Sequence, residues 1–183
     1  MIVKLKNVRL AFSQNLFTAG AMAGDTNSKP TFSSTFLIKK DDLQASYINQ
    51  VIQDIAKEKW LGKASAVLKS LAAENKICFK DGDLKTEYDG FDGCMFIKAS
   101  NAVRPGIFDK DGTELSESSG RPYAGCYVMA NVDIWAQDNK YGKRINAKLL
   151  GVKFYADGDA FVGSATSSAN DFDKIDNGDD DLT

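Results

Sequence analysis

Apolar and charged residues alternate at the start of this chain. Residues 2–12, IVKLKNVRLAF, carry this alternation, and its phase slips at Asn7, which predicts a strand with a β-bulge. Further strands are predicted at 31–40, 77–79, 94–100, 126–137 and 144–157. The even positions of 126–137 are all small or apolar and predict a side that faces the core, whereas Gly151 predicts a kink in the last strand.

Helical periodicity is confined to residues 41–74. Asp41 and Asp42 are N-cap candidates, and Gly62 separates two predicted helices. Their predicted buried stripes are Leu43, Tyr47, Ile48, Val51 and Ile55, then Val67, Leu68 and Leu71. Two strands, two helices and a β meander predict a mainly β fold with a helical insertion (α+β), an OB-like Greek-key β-barrel or another partly open β-barrel. The insertion at about 41–74 is expected to pack across the open side of the barrel. A closing hairpin is predicted at 157–163.

The composition changes after the body of the chain. Residues 164–170 are a small-residue spacer, and the residues from 170 on contain six Asp and one Lys. Such a segment buries too little apolar surface to offset its ordering entropy, so we predict one domain at 1–163 and a disordered acidic tail at 164–183. The tail residues predicted to bind partners are Asp171, Phe172, Asp173, Asp176, Asp179, Asp180, Asp181 and Leu182.

Charge differs between the two parts. The whole chain has 23 Lys and Arg against 25 Asp and Glu, but without the tail 22 bases face 19 acids, a net charge of +3. A mildly basic body joined to an acidic tail favours a protein that binds an anionic partner, with a tail able to occupy the same site.

Several classes of function are disfavoured by what the sequence lacks. It has no histidine, which excludes His-based triads and HExxH sites, and neither GxxxxGK[ST] nor GxGxxG occurs. The DGD and DKDG segments do not match a calcium loop, and three widely spaced cysteines are typical of reduced thiols. No apolar run reaches the roughly 18 residues of a membrane span, and no signal peptide opens the chain. We therefore expect a non-enzymatic protein without cofactor, metal or membrane.

Aromatic residues lie close to basic ones along the strands. Cations neutralise phosphates and flat rings accept unstacked bases, so this pairing favours binding of single-stranded nucleic acid without sequence readout. The predicted phosphate contacts are Lys98, Arg104, Arg121, Lys140, Lys143 and Arg144, and the predicted stacking residues are Tyr123, Tyr127, Trp135 and Tyr141. Lys4, Lys6 and Arg9 form a further phosphate track, and Phe96 is left open between this surface and the core.

The stretch 123–163, whose most specific part is GCYV…NVDIWAQDNKYGKRIN…LLGVKFYADGDAF, resembles a family of bacteriophage single-stranded DNA-binding proteins. KNVRLAF, KPTFSSTFLIKKDD and RPGIFDKDGTEL are similar too, so the resemblance covers nearly all of 1–163. It implies an OB fold, an acidic C-terminal tail and coating of single-stranded DNA during phage replication and recombination, in the cytoplasm of the infected bacterium. The chain departs from the tail pattern by ending in Asp181-Leu182-Thr183 instead of an aromatic residue.

These observations predict a tail that competes with DNA for the cationic groove and presents its charge to replication and recombination proteins. Two alternatives stay open at this stage. One is a strand-annealing recombination mediator that also binds duplex DNA, and the other is a structural phage protein that does not bind DNA. A homodimer is also left open, because exposed barrel edges invite pairing.

Overall fold

The computed structural model describes residues 1–21 and 27–161. Its nine main elements, in chain order, are β1 (Ile2–Ala11), β2 (Phe32–Lys39), α1 (Leu43–Trp60), α2 (Ala64–Ala73), β3 (Phe79–Asp81), β4 (Cys94–Asn101), β5 (Gly106–Phe108), β6 (Tyr127–Asn139) and β7 (Gly142–Ala156). No helix in this part of the chain is long and apolar enough to cross a membrane. The predicted tail residues lie outside the described residues.

Five strands close into a barrel in the order β1-β2-β4-β7-β6. Its neighbouring strands are antiparallel except β4 and β7, which meet in parallel where Ser100 pairs with Lys148. The strands β3 and β5 extend the sheet at its two edges. This closed Greek-key arrangement with a helical insertion confirms the predicted mainly β, OB-like fold.

The predicted strand irregularities are present. The pairing of β1 with β6 shifts between Leu5 and Val8, and Asn7 has a φ of 50°, which confirms the bulge. On β7, Leu149 and Gly151 pair with consecutive residues of β6, so one extra residue bends the strand beside Gly151. The predicted core side of β6 is also correct, because Val128, Ala130, Val132 and Ile134 are buried inside the barrel.

The insertion folds into the two predicted helices. The side chain of Asp42 accepts a hydrogen bond from the backbone N–H of Gln44 at 2.9 Å and caps α1. The predicted stripe is wrong at the first turn, since Leu43 is 84% and Tyr47 54% exposed. The rest of the predicted stripe, Ile48, Val51 and Ile55, is buried, and the buried side begins at Ala45.

The end of α1 holds the far end of the β6–β7 hairpin. Trp60 is buried, and its indole Nε1–H donates to Asp138 Oδ2 at 2.8 Å. Lys143 Nζ lies 3.1 Å from the other oxygen of this carboxylate. The indole hydrogen bond, followed by that from Lys143, lowers the pKa of Asp138 below its ordinary value.

Residues 157–161, here called the strap, cross the outer side of β1. They form no strand, so the hairpin predicted at 157–163 is wrong over its described part. The guanidinium of Arg9 donates to the carbonyl of Gly125 at 3.0 Å and to that of Asp159 at 2.8 Å, and lies 4.3 Å from the ring centroid of Phe161. The Phe161 N–H donates to the carbonyl of Ala124. These contacts hold the strap against β1 and residues 124–125.

Candidate nucleic-acid interface

A groove of about 1040 Å³ lies on the outside of the barrel. One wall is the hairpin arm, residues 134–147, which continues past the start of β1 because β1 pairs with β6 only as far as Asp133. The other wall is β4. Residues 76–80 form the floor: the backbone of 76–78 bonds to Ile145 of β7, and β3 pairs with β4.

Five cations from different parts of the chain line this groove: Lys76, Lys80, Lys98, Arg144 and Lys148. In the described part of the chain, Lys76 pairs with Glu74 at 2.5 Å, and the other four form no ion pair. The topology therefore places unneutralised positive charge in a concave surface, where its field is concentrated on an incoming anion.

Lys80 shows how crowded this charge is. Burial lowers the pKa of Lys80 from its ordinary 10.5, and repulsion from Lys85, Lys98 and Arg144 lowers it further. The folded chain thus disfavours the charged amine, a cost to stability that is present at neutral pH and is relieved as the pH rises towards 10.5. A bound phosphate would relieve the same repulsion, which is the behaviour of an anion site.

An exposed aromatic face lies in the same groove. Trp135, on the outer side of β6, is 42% exposed, and its cross-strand neighbour is Asn146. Asn146 Nδ2 donates to Gln137 Oε1 at 3.0 Å, so a bonded pair of amides borders the indole. Phe96 also touches the groove but is buried against Phe91, with ring centroids 5.3 Å apart, and belongs to the core.

The groove brings together three of the predicted binding residues, Lys98, Trp135 and Arg144. Three more lie at or near the tip of the hairpin arm. Lys140 Nζ is 5.0 Å from the ring centroid of the exposed Tyr141, whereas Lys143 is paired with Asp138.

The remaining four predicted residues do not line the groove, and each is engaged elsewhere. Arg104 lies 5.8 Å from the Phe17 ring centroid, and Arg121 pairs with Asp109 at 3.0 Å. The Tyr123 hydroxyl donates to Asp157 at 2.7 Å, and this bond raises the pKa of Tyr123. Tyr127 lies 5.8 Å from the Arg9 guanidinium.

The three basic residues of β1 that were predicted to contact phosphates have different surroundings. Lys4 and Lys6 are exposed on β1. Arg9 donates from Nε to the carbonyl of Gly125 and from one terminal nitrogen to that of Asp159 in the strap, so two of its N–H groups are used by protein carbonyls.

Sequence reasoning missed three cations of the groove: Lys76, Lys80 and Lys148. Lys148 could have been predicted from the sequence, because it lies on the same side of the predicted last strand as Arg144 and Asn146. Lys76 and Lys80 lie in the groove only because residues 76–81 run between β7 and β4, a long-range pairing that no local pattern shows.

Metal and thiol chemistry find no support in the described residues. In ranges 1–21 and 27–161, no group of three His, Cys, Asp or Glu side chains is placed to hold a metal ion. Burial raises the pKa of Cys78 to about 12 and that of Cys126 to about 11. Both thiols are therefore protonated at neutral pH and poorly nucleophilic.

Comparison with known proteins gives consistent results over the whole chain. The family model described as "Enterobacter phage Enc34, ssDNA-binding protein" matches residues 1–183. Putative protein p50 of Acyrthosiphon pisum secondary endosymbiont phage 1 is 39% identical over 180 residues, which cover 96% of this chain and 94% of that protein.

Solved structures are similar as well. The single-stranded DNA-binding protein from bacteriophage Enc34 in complex with ssDNA has a TM-score of 0.73 and 30% identity, covering 87% of this chain and 88% of that one. The same phage protein, described without DNA, has a TM-score of 0.71 and 28% identity, covering 93% and 88%. The T7 protein gp2.5, also a single-stranded DNA-binding protein, has a TM-score of 0.58 and 11% identity over 93% and 92%, a similarity that shows the fold alone.

Proposed function

Since the chain belongs to the family of the single-stranded DNA-binding protein of Enterobacter phage Enc34, we propose that it coats and protects single-stranded DNA without strict sequence specificity during phage replication and recombination. The observation that carries this proposal is the groove, in which four cations that form no ion pair with any residue of 1–21 or 27–161 share one surface with the exposed indole of Trp135. Neither a cofactor nor an enzymatic step is part of it, and the protein acts in the cytoplasm of the infected host.

The groove supplies both interactions that an unpaired strand needs. Lys80 from the floor, Lys98 from β4, and Arg144 and Lys148 from β7 neutralise phosphates of the bound strand. A base released from its stack lies on Trp135, an interaction worth about 1–3 kcal/mol. A ring face accepts every base, and a phosphate is the same at every nucleotide, so affinity depends little on sequence.

Salt dependence tests this proposal. Fluorescence anisotropy of a labelled dT oligomer should give a log–log slope of affinity against salt near −3, since each of about four phosphate contacts contributes about −0.7. Arg144→Gln should make the slope shallower by about 0.7, whereas Lys57→Gln, at an exposed helix position outside the groove, should leave it unchanged. A flat salt response would contradict the electrostatic mechanism. A protein that never binds the oligomer would favour the structural phage protein instead.

We further propose that the acidic tail competes with DNA for this groove and binds replication and recombination proteins. The support is charge: six Asp follow a body with a net charge of +3, and tethering gives the tail a high effective concentration at its own groove.

Truncation after Gly163 should strengthen DNA binding at low salt, and the gain should shrink at high salt because the competing charges are screened. Titration of full-length and truncated chains at two salt concentrations measures both effects. A full-length chain with its six tail Asp changed to Asn is the matched control, since it keeps the length and loses the charge. Equal affinities of all three proteins at low salt would rule out competition.

A further inference from the structure

One carboxylate lines the cationic groove. Among the described residues, Asp133 is the only Asp or Glu on the groove surface. A carboxylate repels phosphates, so its place on this surface calls for a role other than binding the DNA backbone.

Its position relative to Trp135 is informative. The two residues are two apart on β6, so their side chains leave the same side of the strand about 7 Å apart. Asn146 lies opposite Trp135 and Lys148 lies opposite Asp133. A base stacked on the indole would therefore have its edge within reach of the Asp133 carboxylate.

One oxygen of this carboxylate is available. Oδ1 accepts a hydrogen bond from the α-ammonium group of Met1 at 2.7 Å. In the part of the chain that the structure describes, no bond to Oδ2 is found. A partly exposed acceptor beside a stacking face is the arrangement that reads hydrogen-bond donors on a base edge.

We propose that Asp133 is a specificity-determining residue, which accepts a hydrogen bond from the exocyclic amine of the base stacked on Trp135 and so favours cytosine over thymine and uracil there. This inference rests on the proposed function of the groove. Cytosine presents an N4 amine donor, whereas thymine presents the O4 acceptor at the same place. A carboxylate oxygen facing O4 would bring two acceptors together without a proton between them.

Homopolymers of equal length test this preference with the full chain. Affinities for labelled dC, dT and dU oligomers are measured at one salt concentration, and the readout is their ratio. We expect dC to bind about 2- to 10-fold more tightly than dU, the effect of one net hydrogen bond at a partly exposed site. The dT and dU oligomers differ only in the thymine methyl group, so their comparison separates that group from the position-4 contact.

Asp133→Asn should bring the dC-to-dU ratio close to one, because an amide also donates to O4. It should also raise affinity for all three oligomers, because a negative charge leaves the groove. Asp54→Asn, at an exposed α1 position outside the groove, should change neither quantity.

The outcomes distinguish the proposed role of Asp133 from the proposed binding of DNA by the groove. A wild-type dC-to-dU ratio of one would overturn it, and this measurement does not depend on any variant folding. A wild-type preference that survives Asp133→Asn would overturn it too and leave Asp133 a purely structural ion-pair partner. In both cases the groove still binds DNA, whereas failure to bind any of the three oligomers would contradict the proposed function itself.

Discussion

Trp135→Ala weakens binding of single-stranded DNA about tenfold to a hundredfold, the value of one stacked base. The indole is an exposed aromatic face on the hairpin-arm wall of the cationic groove. Its loss removes stacking and leaves the phosphate contacts in place. The affinity for a dT oligomer should therefore fall by this factor, while the slope of its salt dependence stays the same.

A matched control exists on the neighbouring strand. Tyr155 on β7 is 41% exposed, nearly the same as Trp135, but does not line the groove. Anisotropy titration with a labelled dT oligomer should show little change for Tyr155→Ala. Equal effects of the two substitutions would mean that the DNA does not follow this groove, even if the protein binds DNA elsewhere.

Gly125→Ala lowers the free energy of unfolding by about 3 kcal/mol or more, because two costs add. Gly125 has a φ of +103°, which a residue with a Cβ rarely adopts. The new Cβ would also lie 2.1 Å from the Asp159 carbonyl oxygen and 2.8 Å from the Phe161 nitrogen. Both atoms belong to the strap backbone and cannot turn aside as a flexible side chain would.

Gly142→Ala is the matched control for this strain. Gly142 has a φ of +100°, but nothing lies within 4 Å of the added Cβ, so only the conformational cost of about 1–2 kcal/mol applies. Denaturant unfolding of both variants measures the difference. If the two substitutions cost the same, the strap is not held against Gly125.

Local signals were sufficient for most of the fold. The alternation in β6 predicted its core side because a strand has a period of two, and Asn7 marked the bulge because the phase of β1 slips there. The stripe of α1 was predicted wrongly at Leu43 and Tyr47, which have helical spacing with the buried residues but are exposed. The buried residue in that part of the helix is the small Ala45, which the predicted stripe did not include.

The site was predictable only in part, because it is assembled from distant segments. Trp135 and Arg144 share a hairpin, and the pattern of that hairpin was visible in the sequence. The sequence did not show that the Tyr123 hydroxyl is hydrogen-bonded within the protein, because its acceptor, Asp157, lies 34 residues further along the chain. Lys80 lies in the groove because residues 76–81 pair with two strands, β7 and β4. This pairing is a feature of the topology and produces no periodic pattern in the sequence.

The two tryptophans of this chain, Trp60 at the end of α1 and Trp135 on the hairpin arm, lie at different depths, so their emission should be separable. Trp60 is buried with its indole nitrogen bonded to Asp138, whereas Trp135 faces the groove. A water-soluble quencher such as iodide should reach Trp135 and spare Trp60. Weaker iodide quenching of Trp135 would then report that DNA occupies the groove. A shift in the emission of Trp60 would report that the hairpin arm has separated from α1.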